Sequence, residues 1–581
     1  MRILLLHPED SIWGGDWSRV PWDLVVDLGF ASPFTYAEWS RSLGTRVVSI
    51  FDGSEDSAGY RWVRQKLEPG RGKLLDRMGL DWWELLAVCV AQDLRILYLL
   101  DRLAGNEIQG EVEMAGTRPH LLSRMLGHML KTKVRYFDSE GGVARRVSRM
   151  WRSARQLLPA QIAEIALDKW DATYQVRRHF NGNSRANLTE SAVLLPSAYS
   201  NVTRSALAYA QQVPNQRFVL AVTRRSALPE SIPPNVTAVP LSAYACSSSA
   251  IRAEAADMKR SWEQFRQGTL REIAGLEPAT EAGVWNFFPL HLENGLRLRE
   301  TWNQILNCEP VIGVLCGDDL NYYTRLPLLL AQRLGLNSVY CSHGALDGGF
   351  LFKLPAAEVH LVKGEMEREY LERVCSLAGN AVVVAAPGAN SATAISSSAA
   401  DALVFFSQPF EVEGGRPDEI YRELMPPLFS VALRSSHKLV VKLHPFESKK
   451  ARTELIASIL PRNLIDRVEV IGGVSPEAVF GRAWCGVTVN SSVAVECALR
   501  KIPFFLCAWL DFGGTEYLAQ FLRFDVGHAL RAPEEIEQIP SLVSGKSSAS
   551  FCRERLWQAA DPSQLEHILF GQRQARLHPC A

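Results

Sequence analysis

The sequence predicts an α/β protein built on parallel sheets. Short apolar runs alternate with helical patterns along most of the chain, and most of the runs are apolar without interruption. Strands covered on both faces read this way, whereas half-exposed strands alternate apolar with polar residues. At 581 residues the chain is too long for one core, so two or three domains are expected.

In order, the strand-like runs are Ile3 to Leu6, Val47 to Phe51, Val193 to Leu195, Phe218 to Val222, Val311 to Cys316, Ser338 to Cys341 and Val359 to Val362. They continue with Ala381 to Ala385, Ala402 to Phe406, Leu439 to Leu443, Val468 to Ile471, Gly486 to Val489 and Pro503 to Leu506. The first block, residues 1–185, holds two early strands followed by a long helical stretch. That stretch includes the tryptophan-bearing Leu80 to Leu103 and the basic Val143 to Phe180. The polar segment Asn181-Gly-Asn-Ser-Arg-Ala-Asn ends this block. Residues 186–395 alternate strand and helix again and close on the small polar run from Pro387 to Ser398, the clearest linker signal in the chain. Residues 400–545 form a third α/β unit, and 546–581 a helical tail.

Composition narrows the function. Hydrophobic residues make up 47% and charged residues 22%, which is globular composition. Lys+Arg and Asp+Glu both total 63, so no global charge points to nucleic acid or an acidic membrane surface, and any anion site must be local. The opening Met-Arg-Ile-Leu-Leu-Leu-His-Pro-Glu-Asp reads as a first strand and turn rather than a signal peptide. No apolar run reaches the roughly 18 to 20 residues of a membrane helix, so a cytoplasmic protein is expected, with the inner face of the membrane as a further location. Eleven cysteines without CxxC pairs read as buried thiols, and no metal site is expected.

Chemistry is expected where strands end. Leu439-Val-Val-Lys442-Leu-His444-Pro445 carries a basic pair to a strand terminus, the place where open α/β sheets bind ligands. Asn490-Ser491-Ser492 follows another apolar run and opens a helical pattern with Glu496 one turn in; hydroxyls and free N–H groups at such a start form an anion cradle. Lys442, His444, Asn490, Ser491 and Ser492 are therefore read as a nucleotide-phosphate site, and Glu496, which cannot favour phosphate, as a ribose contact. Asp318-Asp319 stands directly after a buried strand, where adjacent carboxylates are costly unless solvated, paired or used; a helix cap with a solvated neighbour is the plain alternative. His343 leaves its strand into a loop with three glycines, positioned as base, acid or phosphate donor. Three further segments have plainer readings as turns or solvated faces: His7-Pro8-Glu9-Asp10 with Trp13-Gly14-Gly15, the acidic glycine-rich Tyr136 to Gly142, and the arginines from 145 to 155. Their functional alternatives are acceptor binding at the first and an anionic lipid-linked acceptor or membrane surface at the last.

From Val311 to Leu506 the chain resembles bacterial glycosyltransferases of the GT-B fold, in the surface and capsule polysaccharide group that includes polysialyltransferases and Kdo transferases. Ser342-His343-Gly344, Lys442-Leu-His444-Pro445, and Asn490-Ser491-Ser492 followed by Glu496-Cys-Ala-Leu-Arg-Lys-Ile-Pro503 carry the resemblance. It implies two Rossmann-like domains facing across a cleft, here with an extra N-terminal α/β region rich in helices. It also implies that the His-Pro and Ser-Ser elements hold the donor nucleotide. The relatives' acidic-acidic-glycine base motif is interrupted here as Asp138-Ser-Glu140-Gly141, which leaves Asp318, Asp319, Glu140 and His343 open as the base. The implied activity is transfer of a sugar from a nucleotide-activated donor to a glycan or lipid-linked acceptor in polysaccharide assembly, without cofactor or nucleic-acid partner. A glycerophosphate-type transferase, a nucleotide-sugar 2-epimerase and a non-catalytic glycan-assembly scaffold are the alternatives.

Overall fold

The computed structural model describes all residues except 52–56, 138–174, 181–183, 198, 230, 247–248, 389–399, 474–476, 546–552 and 572–581. The basic run 145–155, the acidic Asp138 to Gly142 and most of the linker 387–398 lie outside the described residues.

Among the described residues, three parallel sheets hold eighteen strands. The first contains β1 (Arg2–Leu6), β2 (Leu24–Asp27), β3 (Arg46–Ser49), β4 (Glu113–Gly116) and β5 (Val134–Tyr136), in the order β3-β2-β1-β4-β5. The second contains β6 (Ala192–Ser197), β7 (Arg217–Val222), β8 (Val236–Pro240), β9 (Val311–Cys316), β10 (Asn337–Cys341), β11 (Val359–Val362) and β12 (Val382–Val384), in the order β12-β11-β10-β9-β6-β7-β8. The third contains β13 (Ala402–Phe406), β14 (Lys438–Lys442), β15 (Val468–Ile471), β16 (Ala483–Thr488), β17 (Phe504–Cys507) and β18 (His528–Leu530), in the order β15-β14-β13-β16-β17-β18. Within each sheet the first strand lies between the second and the fourth, so all three are Rossmann-like and each has one strand-order switch.

The thirteen runs read from sequence are all strands, and the α/β class with parallel sheets holds. The N-terminal region departs from expectation, with five strands in place of two. β2 is a four-residue run ending in aspartate, β4 is Glu-Met-Ala-Gly, and β5, β8 and β18 are outer strands too short or too polar to stand out as apolar runs.

Compact units also cut across the sequential blocks. One unit comprises 1–59, 96–140 and 391–556, and so contains the first and third sheets; the other comprises 60–95, 141–390 and 557–581, around the second sheet. In the first unit, Arg416 ties the two sheets together. Its guanidinium is buried against Asp27 at the end of β2 (Nε–Oδ2 2.6 Å, Nη2–Oδ1 2.7 Å) and donates to the carbonyls of His7 (2.9 Å), Pro8 (3.1 Å) and Asp10 (2.8 Å). All five donors of the planar fork are thereby satisfied, as a buried charge requires. In the second unit, Arg299 is fully buried between Asp76 (2.8 Å) and Glu254 (2.6 and 2.8 Å). Trp83 packs there on Phe265, Trp285 and Phe288. The helix Pro562–Phe570 buries Leu565 and Leu569 in the same core cluster as Val193 and Phe218 of the second sheet, so this helix completes that unit.

Burial pushes the Cys341 thiol up to about 12, and Cys316, Cys485, Cys497 and Cys507 are likewise buried free thiols. Among the described residues no helix is long and apolar enough to cross a membrane.

Candidate functional site

At the switch of the third sheet, the end of β13 lies between the ends of β14 and β16, so Ser407 and Gln408 stand between the two loops read from sequence. Ser407 Oγ donates to Glu447 Oε1 (2.9 Å) in the loop after β14. Gln408 joins the loop after β16: its Oε1 accepts from Asn490 N (3.2 Å) and its Nε2 donates to Asn490 Oδ1. Asn490 Nδ2 donates in turn to Asp511 Oδ1 (3.1 Å), after β17. Asn490 therefore holds the switch together, because its amide links three strand ends.

The His444-Pro445 turn is rigid for a reason the sequence did not disclose. The buried Glu447 carboxylate accepts from His444 N (2.8 Å), Ser407 Oγ, Tyr421 OH (3.3 Å) and Arg452 Nε (2.9 Å). One carboxylate thus fixes a turn, a strand end and two helices. Only its tertiary partners reveal this role of Glu447. His444 Nδ1 accepts from Phe446 N (3.3 Å), which places the ring proton on Nε2. Burial first, then the Lys442 charge, lowers the His444 imidazole below its ordinary value, so at neutral pH it is an uncharged N–H donor. Phe446 beside it is 69% exposed.

Lys442 departs from expectation. It lies at the end of β14 with its side chain buried, and Nζ donates to the Leu443 carbonyl at 2.7 Å. It contributes field to His444 rather than an exposed ammonium. Ser491 and Ser492 precede the helix Val493–Leu499 as expected; Ser491 Oγ accepts from Val493 N (3.4 Å), and the exposed Ser492 makes no side-chain cap. Glu496 sits one turn in, 3.6 Å from Arg500, with a side chain 40% exposed.

The switch of the second sheet lies between β6 and β9. Gly317 follows β9 where a Cβ would come within 2.9 Å of the Val202 carbonyl, so only glycine fits. The next two residues have opposite fates. Asp319 is fully buried, paired with Lys353 and 3.5 Å from Arg325; Lys353 also meets Asp347 (3.0 Å), and Asp347 accepts from Tyr340 OH (2.6 Å). That carboxylate belongs to an internal ion network and is removed from the candidates for the base. Asp318 is buried, accepting from Leu320 N (2.9 Å) and Asn321 Nδ2; Asn321, not an aspartate, caps the helix Tyr322–Arg333 through Thr324 N (3.0 Å). Burial raises the Asp318 carboxyl, opposed foremost by His343.

His343 is exposed, and its Nδ1 lies 2.9 Å from the Gly317 carbonyl. A carbonyl only accepts, so in the neutral ring Nδ1 carries the proton and the lone pair lies on Nε2. Lys363 steadies this loop, donating to the carbonyls of Ser342 (2.9 Å) and Gly344. The remaining candidate base, Glu140, lies outside the described residues.

The molecule is thus a parallel α/β protein with three Rossmann-like sheets and polar, preorganised strand ends at the switch points of the second and third. No protein-family model matches the chain, and no curated protein matches it. Solved structures similar to it include a UDP-GlcNAc 2-epimerase of Methanocaldococcus jannaschii in complex with UDP-GlcNAc and UDP, at 12% identity and TM-score 0.39, covering 65% of this chain and 99% of that one. Others are the wall teichoic acid polymerase TagF (10%, TM-score 0.37, 65% and 87%) and the spinosyn rhamnosyltransferase SpnG (13%, TM-score 0.35, 65% and 96%). At these scores the assignment of fold rests on the strand orders themselves.

Proposed function

We propose that the protein is a GT-B-type glycosyltransferase of glycan or surface-polysaccharide assembly, taking a sugar from a nucleotide-activated donor. The observation that carries this reading is the third sheet's switch, where Ser407 and Gln408 tie the His444 turn to the Asn490-Ser491-Ser492 turn. An uncharged imidazole N–H and two serine hydroxyls there suit a phosphate, and the exposed Phe446 ring offers a stacking face to a nucleobase. Glu496, on the same short helix, is assigned to the ribose.

His343 serves as base in the second unit. Its Nε2 takes the proton of an acceptor hydroxyl as that oxygen bonds to the anomeric carbon, while the sugar–phosphate bond breaks and its electron pair leaves with the nucleotide. His444, Ser491 and Ser492 stabilise the departing phosphate by hydrogen bonds. Asp318 is a positioning residue for the Gly317–His343 edge.

Thermal unfolding in the presence of CMP, UDP, GDP and CDP tests the reading. One of the four, at about a hundred times its dissociation constant, is expected to add about 2.7 kcal/mol of stability. A melting temperature unmoved by all four would argue against a nucleotide donor.

A further inference from the structure

The first sheet has a switch of its own, between β1 and β4, and no role in the reaction above. His7-Pro8-Glu9-Asp10 follows β1 and Thr117-Arg118-Pro119-His120 follows β4, so both loops lie where an open parallel sheet receives ligands. They are locked together. His7 N donates to Thr117 Oγ1 (3.0 Å), and Arg118 donates to Glu9 (2.7 Å) and Asp10 (2.9 Å). Arg416 fixes the His7, Pro8 and Asp10 carbonyls from behind.

Within this frame the rings of His7 and His120 meet edge to face, centroids 4.8 Å apart. Each accepts a backbone N–H at Nδ1, His7 from Glu9 (3.1 Å) and His120 from Leu122 (3.3 Å). The same argument as for His444 puts both protons on Nε2. Burial first, then His120, Arg118 and Arg416, holds His7 down at about 2; burial, Arg124 and Arg118 hold His120 at about 4. Both are therefore neutral donors, in a field made positive by Arg118, Arg124 and the start of the helix Leu121–Met129 and offset by Glu9 and Asp10, which face Arg118. Two uncharged N–H donors, each with its other ring nitrogen already occupied, match an anion. Trp13, three residues beyond Asp10 and 51% exposed, offers an apolar ring face on the same loop.

We propose that this crevice binds the carboxylate or phosphate of an acidic sugar through the Nε2–H groups of His7 and His120, with Trp13 against the sugar ring. Its identification with the acceptor rests on the glycosyltransferase reading; the binding itself does not.

Calorimetry on the full chain with methyl glucuronide, glucose 1-phosphate and uncharged methyl glucoside tests the proposal, and the first two arms distinguish carboxylate from phosphate. At least one charged sugar is expected to bind at least tenfold more tightly than the glucoside. The double variant His7→Asn with His120→Asn keeps an acceptor oxygen in place of each Nδ1 but removes both Nε2–H donors. It should weaken the charged sugar at least tenfold and leave nucleotide affinity unchanged. His120→Asn alone retains a favoured helix cap and should cost at least threefold should the double variant fail to fold. The proposal is overturned by equal affinity for charged and uncharged sugars, by no binding of either charged sugar, or by full affinity in His120→Asn. Loss of nucleotide binding by the unaltered protein would instead remove the glycosyltransferase reading and leave this crevice standing.

Discussion

Replacing His343 by alanine should lower turnover about a hundredfold or more, the usual loss when a general base is removed. The imidazole is exposed, and its one hydrogen bond at Nδ1 aims Nε2 away from the Gly317 carbonyl. Its removal opens no core cavity, so the folded protein and its nucleotide affinity should survive. The check is kcat together with the nucleotide dissociation constant, measured with a donor and acceptor that the unaltered protein turns over. Near-normal kcat would make the edge structural and return the base to Glu140.

Lys353→Ala should destabilise the second unit by about 3 to 5 kcal/mol, the cost of breaking a buried ion pair and leaving its partners uncompensated. Lys353 is fully buried between Asp319 and Asp347. Burial works to raise the Asp347 carboxyl, but Lys353 and the Tyr340 hydroxyl outweigh it and hold it below the ordinary value. A depressed folded-state pKa contributes stability above the unfolded value, and that contribution is lost as pH falls through the folded one. Without the ammonium the Tyr340 hydroxyl and the Gly349 N–H still favour the carboxylate, but its largest opponent to burial is gone, so the Asp347 carboxyl moves up and its penalty fades in acid. Urea unfolding at pH 7 and again near pH 4 should show the gap between variant and unaltered protein narrowing at the lower pH. An equal gap at both would mean that the loss is one of packing, not charge.

Inner strands of the second and third sheets were legible because they are buried on both faces, and Ala402 to Phe406 or Val311 to Cys316 admit little else, whereas the edge strands β8 and β18 were missed. The first sheet was less legible: Glu113 to Gly116 has the composition of a loop and becomes a strand only because β1 and β5 flank it. The strand ends proposed as sites were legible as strand ends, since a His-Pro or Ser-Ser pair after an apolar run is a local signal. It did not sort residues within them. Asp318 and Asp319 are neighbours of the same type, yet Lys353, thirty-four residues on, draws one into the core. Lys442, expected at the phosphate, is buried, and Glu447 is a hub because Ser407 and Tyr421, 40 and 26 residues away, meet it together with Arg452 five residues on. Local pattern carries no information on such pairings.

The donor site is tested most directly by calorimetric titration of the stabilising nucleotide into His444→Ala and into the double variant Ser491→Ala with Ser492→Ala. All three side chains are partly or fully exposed at the strand ends, so the variants should fold. Each should bind more weakly by about 1.5 to 3 kcal/mol, the value of a charge-assisted phosphate contact. Unchanged affinity in both would contradict the account and place the nucleotide elsewhere.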